Sequence, residues 1–476
     1  MEAFACKHNF YFFLRSFWDV VVTEDPVFNW HIEYLCDELQ IVSEWIVKRQ
    51  PKLYDLIINV PPGSTKSTIC TIMFPAWLAA LDPSLTAITN SYSSDLSIEH
   101  AIKSRDIIQS PKFKRLFPNT VIRKDKGGKE HYEYTAKGAR VTTSTGSAIT
   151  GFHGNVIISD DPVNPNEALS DVKRVTANEH TKTLASRKRD KKNTPTILVM
   201  QRLHEEDVTG YLLKKHGKTI KHICLPAEVS DKVSPPELKE KYIDGLLDPI
   251  RINNEVIEEF RLILGSDGYA KQFEQAPTSA AGNIIKKEWF QIIDKVTFDG
   301  LIIDEPSNFF LDTAFSKKDK KTDNDPSGII ATKFIRNNLY IYKAKKEHKD
   351  APELLRFIDG WTKENGYNES SIIRIEPKAN GKAIVQMLLA GTKLNVVESH
   401  PPTDDKETRL RAYAPKVECG RVYLVQDSWT DDFIEEVCGF PFKSHDEYVD
   451  CLSEALRHTF VNEADNYENI ANYLGL

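Results

Sequence analysis

Apolar residues along the chain switch between a helical and a strand period, and the switches outline the elements. Ile32, Leu35, Leu39, Val42, Trp45 and Ile46 recur at helical spacing and predict an amphipathic helix over residues 29–50. Residues 56–60 form an apolar run of strand length, broken by Pro61, Pro62 and Gly63, with a helical pattern from Lys66. That helix meets Pro75, which is expected to kink or end it, and residues 76–81 add a further turn. Residues 85–92 read as a second strand, and Ser94 and Asp95 as the cap of a helix over 96–109. Residues 130–143 are β-rich, and 156–160 and 196–200 read as buried strands. Such alternation predicts a parallel sheet covered by helices.

From 226 to 290 the pattern loses this regularity. Pro226, Pro235, Pro236 and many charges precede a helix over 254–264 and a break at Gly265 and Gly268. A connector over 231–295 is therefore expected between a first domain, 1–230, and a second, 296–476. The second opens with a strand at 309–312, then strands at 328–335 and 339–343 joined by a turn at 336–338. A helix over 351–360, a strand at 371–375 running into Glu376, and a helix from Gly381 follow. Residues 446–456 are helical, with Val449, Leu452, Leu456 and Phe460 as the buried stripe.

Composition agrees with two globular domains: 476 residues, 41% hydrophobic and 28% charged. The net charge of −7 opposes broad coating of nucleic acid and confines any such contact to local basic patches. Seven cysteines without a C-x-x-C pair suggest free thiols in a reducing compartment and no zinc site. The aromatic stretch 10–18 carries Arg15, and its uncharged part is too short for a signal or membrane segment.

Three groups of residues carry chemistry. A strand, a tight turn bearing Gly63, Lys66 and Ser67, and a helix start have the layout of a phosphate-binding loop, lined by Pro62, Ser64, Thr65 and Thr68. Lys66 would reach the outer phosphates and Ser67 would offer its hydroxyl to Mg²⁺. Against G-x-x-x-x-G-K-[ST], the two glycine positions hold Val60 and Thr65. Asp160 and Asp161 end a buried strand at the edge where ligands sit in open α/β sheets. Asp160 is placed to hold the Mg²⁺ shell, and Asp161 to orient or deprotonate an attacking water. Trp30 and His31 mark a place where a base could stack or hydrogen-bond, although a Trp there also serves to pack a helix start.

Beyond these, the basic run 187–192 is a solvated loop able to touch phosphates. Gln201, Arg202 and the acids to Asp207 form a polar cluster at the next strand end, able to sense a terminal phosphate. In the second domain, three antiparallel strands and then alternating helix and strand place acids at the ends of the first and fourth strands and on a late helix. That is the layout of a ribonuclease H-like nuclease, whose two Mg²⁺ or Mn²⁺ ions, about 3.5–4 Å apart, need carboxylates converging from separate elements. Asp312 would bridge the ions and Glu376 complete one shell, while Asp446 and Asp450, one helical turn apart, both suit the third acid. Asp325 reads as a turn former before it reads as an auxiliary ligand. Lys378, Asn380, Lys382, Lys406, Arg409 and Arg411 would supply phosphate contacts.

In combination these motifs resemble the large terminase subunit of tailed bacteriophages. The resemblance rests on residues 61–67, Asp160 to Pro162, and Gln201 to Asp207, which is similar to that family's coupling motif. Asn29, Trp30 and His31 look like its adenine-side motif. It extends through 405–409, 420–422 and 444–446, so it covers roughly residues 29–460. One departure is Asp161, where many members carry Glu. The resemblance implies an α/β chain with a P-loop, RecA/ASCE-like ATPase domain followed by the nuclease domain, using ATP and Mg²⁺, with Mn²⁺ an option for cutting. It implies double-stranded DNA, a small terminase subunit and a portal protein as partners, and a homo-oligomeric ring. The setting it implies is the host cytoplasm and transiently the procapsid portal vertex, with no membrane partner and no secretion. It favours Asp450 as the third acid, because the similar acid precedes a small residue, here Cys451. Arg202, Arg187 and Arg140 all remain candidates for an arginine acting in trans. Two rivals are a helicase or repair motor with a fused nuclease, which would need a second ATPase-type lobe, and a catalytically inactive scaffold, against which Lys66, Asp160, Asp312 and Glu376 argue.

Overall fold

The computed structural model describes residues 1–25, 27–277, 283–301, 304–314, 326–376, 381–399, 405–443 and 445–473. The chain divides into two compact units near residue 280. In the first, strands β1 (Asp55–Asn59), β2 (Thr86–Ser91), β3 (Ile122–Gly127), β4 (His131–Tyr134), β5 (Ala139–Ser144), β6 (Val156–Asp160), β7 (Thr196–Met200) and β8 (Ile220–Cys224) form one sheet. Its order is β3-β4-β5-β2-β6-β7-β1-β8. The six strands from β5 to β8 run parallel, and β3 and β4 extend them antiparallel.

The apolar runs are continuous because both faces of this sheet are covered. Leu56 and Ile58, Val156 and Ile158, Ile197 and Val199 point to one core, while Ile57, Leu198 and Met200 point to another. The first core also takes Phe10, Phe13 and Phe17 of the N-terminal aromatic stretch, with Phe10 stacked 4.8 Å from Trp77. That stretch is thus a buried helix, Phe10–Ser16. Among the described residues no helix is long and apolar enough to cross a membrane.

Several local expectations shift. Ser93, not Ser94 or Asp95, caps the helix Ser94–Gln109, accepting from Leu96 N at 3.3 Å. Pro75 neither ends nor breaks its helix. The wide π-helical turn Thr68–Met73 precedes it, and Pro75 falls in the first turn of Phe74–Leu81, where its missing N–H costs little. Most of the stretch read as a connector belongs to the first unit. Leu225 N bonds Asn59 O, Ala227 N bonds Phe273 O, and Val233, Leu238 and Leu247 join the core. Its prolines and charges conceal a folded segment, because these few apolar residues have no regular period.

The second unit holds β9 (Gln291–Ile293), β10 (Asn308–Asp312), β11 (Ser327–Ile335), β12 (Asn338–Glu347), β13 (Ile373–Ile375), β14 (Val396–Glu398) and β15 (Val422–Val425), in the order β14-β13-β10-β11-β12-β15-β9. β10, β11 and β12 are antiparallel neighbours, and β13 lies parallel to β10. Arg336 and Asn337, with φ of 48° and 67°, make the two-residue turn between β11 and β12. Helices Ala351–Glu364 and Gly381–Gly391 cover one face, and the C-terminal helix Glu447–Tyr473 packs Val449, Leu452, Leu456 and Phe460 on the other.

Parallel pairing of β1 with β7 and β8 also creates a buried polar clamp. Asn59 donates to Met200 O and Thr209 Oγ1, both at 3.0 Å, and its Oδ1 lies 2.8 Å from His222 Nε2. Asn59→Ala leaves these partners without a bond in a dry interior, and is expected to destabilise the first unit by about 2 kcal/mol. A urea titration whose fitted unfolding free energy falls by less than a quarter of that would contradict the clamp.

Candidate functional site

At the carboxyl end of β1 the chain turns through Val60, Pro61, Pro62 and Gly63 and becomes helical at Lys66. Gly63 has φ of 73°, and Thr65 has φ of 66°. Thr65 occupies the second glycine position of the loop pattern, so the backbone keeps the left-handed course although the residue is β-branched. Such a residue stores about 1–3 kcal/mol of strain and must be held by its surroundings.

Two groups hold it. Arg251 donates from Nη1 to Thr65 Oγ1 and from Nη2 to Val27 O, and its Nε lies 3.6 Å from the buried Asp248 carboxylate. On the other side His31 is fully buried, 3.2 Å through Nε2 from Ser64 O. Asn29 Nδ2 donates to His31 Nδ1 at 3.0 Å and to Leu247 O. That donation puts the imidazole proton on Nε2, where it bonds the loop carbonyl. Burial pushes His31 down to about 4. His31 therefore braces the loop and is enclosed by protein. Trp30 packs on Tyr242, ring centres 5.7 Å apart, as a helix-start residue does. Ser64 also turns inward, donating to Pro61 O at 2.6 Å.

Lys66, Ser67, Asp160 and Asp161 do converge. Lys66 Nζ lies 3.2 Å from Asp161 Oδ2, and Ser67 donates to Asp160 Oδ1 at 3.1 Å. Strand order explains this: β7 separates β1 from β6, and both strands present their carboxyl ends on one edge. Asp161 has φ of 40° and accepts from Gln201 N at 3.3 Å. Burial raises both carboxyl pKa values, and Lys66 opposes the rise. A hydroxyl beside a carboxylate is a donor set that fits a hard divalent ion such as Mg²⁺. His100, 3.6 Å from Asp160 Oδ2, is pushed down to about 4, first by burial and then by Arg140, and contributes no countercharge.

The remaining first-unit candidates separate. Arg202 is fastened to Asp207 at 2.9 Å, and Asp207 caps the helix Val208–His216. Arg202 is thus a strut of the turn. Arg140 is fully buried, with Nη2 3.4 Å from Thr89 Oγ1, so it is unable to act on a neighbouring chain. In the basic run, Lys188 lies 3.3 Å from Asp55 at the opposite, amino edge of the sheet, and burial lowers it to about 8. Sequence reading missed Arg251, Asp248 and His100. The first two lie in a stretch with no motif, and the last is one polar residue among many on its helix.

In the second unit, Asp312, Glu376 and Asp450 offer oxygens that all lie within 4.8 Å of one another, and all three residues are buried. Leu311 pairs with Ile375, so Asp312 and Glu376 emerge side by side from parallel strands. Asp450 comes from the first turn of the last helix, with Cys451 in the core behind it. Asp446 precedes that helix and lies outside the trio, 2.6 Å from Lys406. The backbone of 446 and 450 does share a turn, Asp450 N bonding Asp446 O at 3.0 Å. Three buried carboxylates from separate elements fit divalent ions of the Mg²⁺ or Mn²⁺ kind. Arg409 and Lys406 face these acids, whereas Arg411 pairs with Glu407 at 2.8 Å and Lys382 lies 3.7 Å from Glu398. Asp325, Lys378 and Asn380 lie outside the described residues.

No family model matches the sequence, and no curated protein is similar to it in sequence. Among solved structures the chain is similar to the large terminase of a thermophilic bacteriophage, with 10% identity and a TM-score of 0.51 over 88% of this chain and 98% of that one. Looser superpositions reach the HK97 bacteriophage large terminase (9% identity, 87% and 88% covered, TM-score 0.37) and a human cytomegalovirus terminase nuclease domain (15% identity, 36% and 93% covered, TM-score 0.28). The chain has the α/β fold of large terminases, a P-loop lobe of the RecA/ASCE kind followed by a ribonuclease H-like lobe.

Arg251→Met is expected to destabilise the first unit by about 3 kcal/mol, because it leaves Asp248 charged and buried. Adding Asp248→Asn should recover part of that loss, and strict additivity of the two in urea unfolding would disprove the coupling. A second expectation concerns pH. His31, His100 and His222 all sit near 4, below the unfolded 6.5, with burial the leading cause. They stay neutral in the folded chain while the unfolded chain protonates. Stability is therefore full above about pH 6.5 and falls as the pH drops toward about 4. Unfolding at about pH 5.3 should take up close to one proton for each, and His222→Gln should remove one from that count.

Proposed function

We propose that this chain is a large terminase subunit: an ATP-driven motor that moves double-stranded viral DNA into a procapsid, and a metal-dependent endonuclease that cuts concatemeric DNA. The observation that carries the proposal is the presence of two separately built sites in one chain. One is a phosphate loop with Lys66 and Ser67 against Asp160 and Asp161. The other is the carboxylate trio Asp312, Glu376 and Asp450.

In the motor site, backbone N–H groups from Gly63 to Ser67 cradle the phosphates of ATP and Lys66 draws charge from the outer ones. Ser67 and Asp160 hold Mg²⁺, which when bound neutralises charge on the transferred phosphoryl group. Asp161, anchored by the Gln201 N–H, orients the water. In the cutting site, Asp312, Glu376 and Asp450 hold Mg²⁺ or Mn²⁺, which when bound activates water and steadies the leaving oxygen. Asp446 stays in an outer position with Lys406. The partners are double-stranded DNA, a small terminase subunit and a portal ring, with several copies of the chain in a ring and the host cytoplasm as the setting. A helicase or repair motor with a fused nuclease fits less well, since the second unit supplies acids in place of another phosphate-contacting lobe.

Lys66→Ala and Asp161→Asn should each lower ATP hydrolysis by about a hundredfold or more while plasmid cleavage with Mn²⁺ continues. Asp450→Asn should abolish cleavage and spare ATP hydrolysis, and Asp446→Asn should stay within a few-fold of the parent. Loss of both activities in each variant would defeat the reading of separate sites. Normal cleavage by Asp450→Asn would defeat the choice of third acid.

A further inference from the structure

The helix Lys406–Glu418 begins directly beside the carboxylate trio. Asp405 caps it, accepting from Thr408 N at 2.7 Å, so its first turn is firmly placed. Lys406 and Arg409, three residues apart, share one face of that turn. Arg409 Nη2 lies 3.1 Å from Asp450 Oδ1, and its Nη1 lies 3.5 Å from Glu376 Oε1. Lys406 Nζ lies 2.7 Å from Asp450 Oδ2 and 2.6 Å from Asp446 Oδ2. Each oxygen of Asp450 thus already faces a cation. The two cations differ in freedom: the Arg409 side chain is 11% exposed and Lys406 30%.

We propose that Lys406 is a substrate-released counter-ion: without DNA it neutralises Asp450 and Asp446, and a backbone phosphate of arriving DNA draws it away so that divalent ions load onto Asp450. This rests on the reading of the trio as a metal-dependent cutting site. Carboxylates this close repel one another, so in the absence of divalent ions a cation beside them lowers the cost of burial. The same cation repels an incoming divalent ion and occupies the Asp450 oxygen it would take. Lysine suits release, being a compact charge on a flexible four-carbon stem, whereas the planar fork of Arg409 stays as the fixed positioning group. A phosphodiester beside the helix start offers Lys406 an anion outside the cage. DNA and divalent ions would then favour each other's binding, and by linkage the effect is reciprocal. The cutting site would stay idle until substrate lies in it.

The test is Mn²⁺ binding to the full, nucleotide-free chain, read from the electron paramagnetic signal of free Mn²⁺, with and without a short phosphorothioate duplex. The parent should bind Mn²⁺ about tenfold more tightly with the duplex. Lys406→Met should bind it about tenfold more tightly without DNA and gain little from the duplex. Lys406→Arg, which keeps the charge, should retain the parent's weak binding and its duplex response. Parent-like affinity in a folded Lys406→Met, or Lys406→Arg behaving like Lys406→Met, overturns the counter-ion role. Asp312→Asn separates the two levels. If it abolishes Mn²⁺ binding while Lys406→Met matches the parent, only the counter-ion role fails. If it binds Mn²⁺ as the parent does, the metal-site reading fails and takes this inference with it.

Discussion

Buried negative charge at the carboxyl ends of parallel strands is the constraint on which both units turn. Asp160 and Asp161 close β6, and Asp312 and Glu376 end β10 and follow β13. A parallel pair delivers its strand ends to one edge, so acids that are distant in sequence arrive together. Each group then needs positive charge beside it, because close carboxylates in a dry site repel one another. Lys66 does this in the first unit, and Lys406 and Arg409 do it in the second. The cations are therefore parts of the sites and not surface ornaments.

The phosphate loop is a case of geometry outliving its usual sequence. Glycine is the ordinary occupant of a left-handed position, yet Thr65 sits there at φ 66°. The hydroxyl that comes with threonine is a handle: Arg251 grips it and is itself tied to Asp248 and Val27. His31 and Asn29 hold the opposite side through Ser64 O and Leu247 O. The loop is thus clamped between the chain just before the helix Trp30–Lys48 and a segment more than two hundred residues later. Strain in the backbone and the side chains that restrain it are one unit, and each explains the presence of the other.

Several charged residues that look chemically active alone turn out to have architectural roles. Arg202 is tied to Asp207, which also caps a helix; Lys188 settles on Asp55 at the amino edge of the sheet; Arg140 lies within the core. Arg202 and Lys188 each found a carboxylate inside their own unit, while Arg140 is enclosed in the core beside Thr89. A long basic side chain whose charge is satisfied within the fold has little left for a ligand.

Strand and helix periods made the two α/β halves legible from the residues alone, because an apolar run such as Ile157–Ile158 or the stripe Val449, Leu452, Leu456 has one stable environment. The same holds for Lys66, Ser67, Asp160, Asp312 and Glu376, whose places at element ends follow from local pattern. Tertiary structure decided what local pattern has no means to encode. It separated Asp450 from Asp446, which share one turn of backbone, since only the packing of the last helix fixes which carboxylate faces β10. It turned His31 inward and made it a brace, and it returned residues 231–261 and 266–277 to the first unit despite their connector-like composition. It brought Arg251 to Thr65 and Arg409 to Glu376, pairings whose partners lie 186 and 33 residues apart along the chain. Such contacts arise from long-range closure of the fold, where burial and charge compensation choose the partner and sequence spacing carries no trace of the choice.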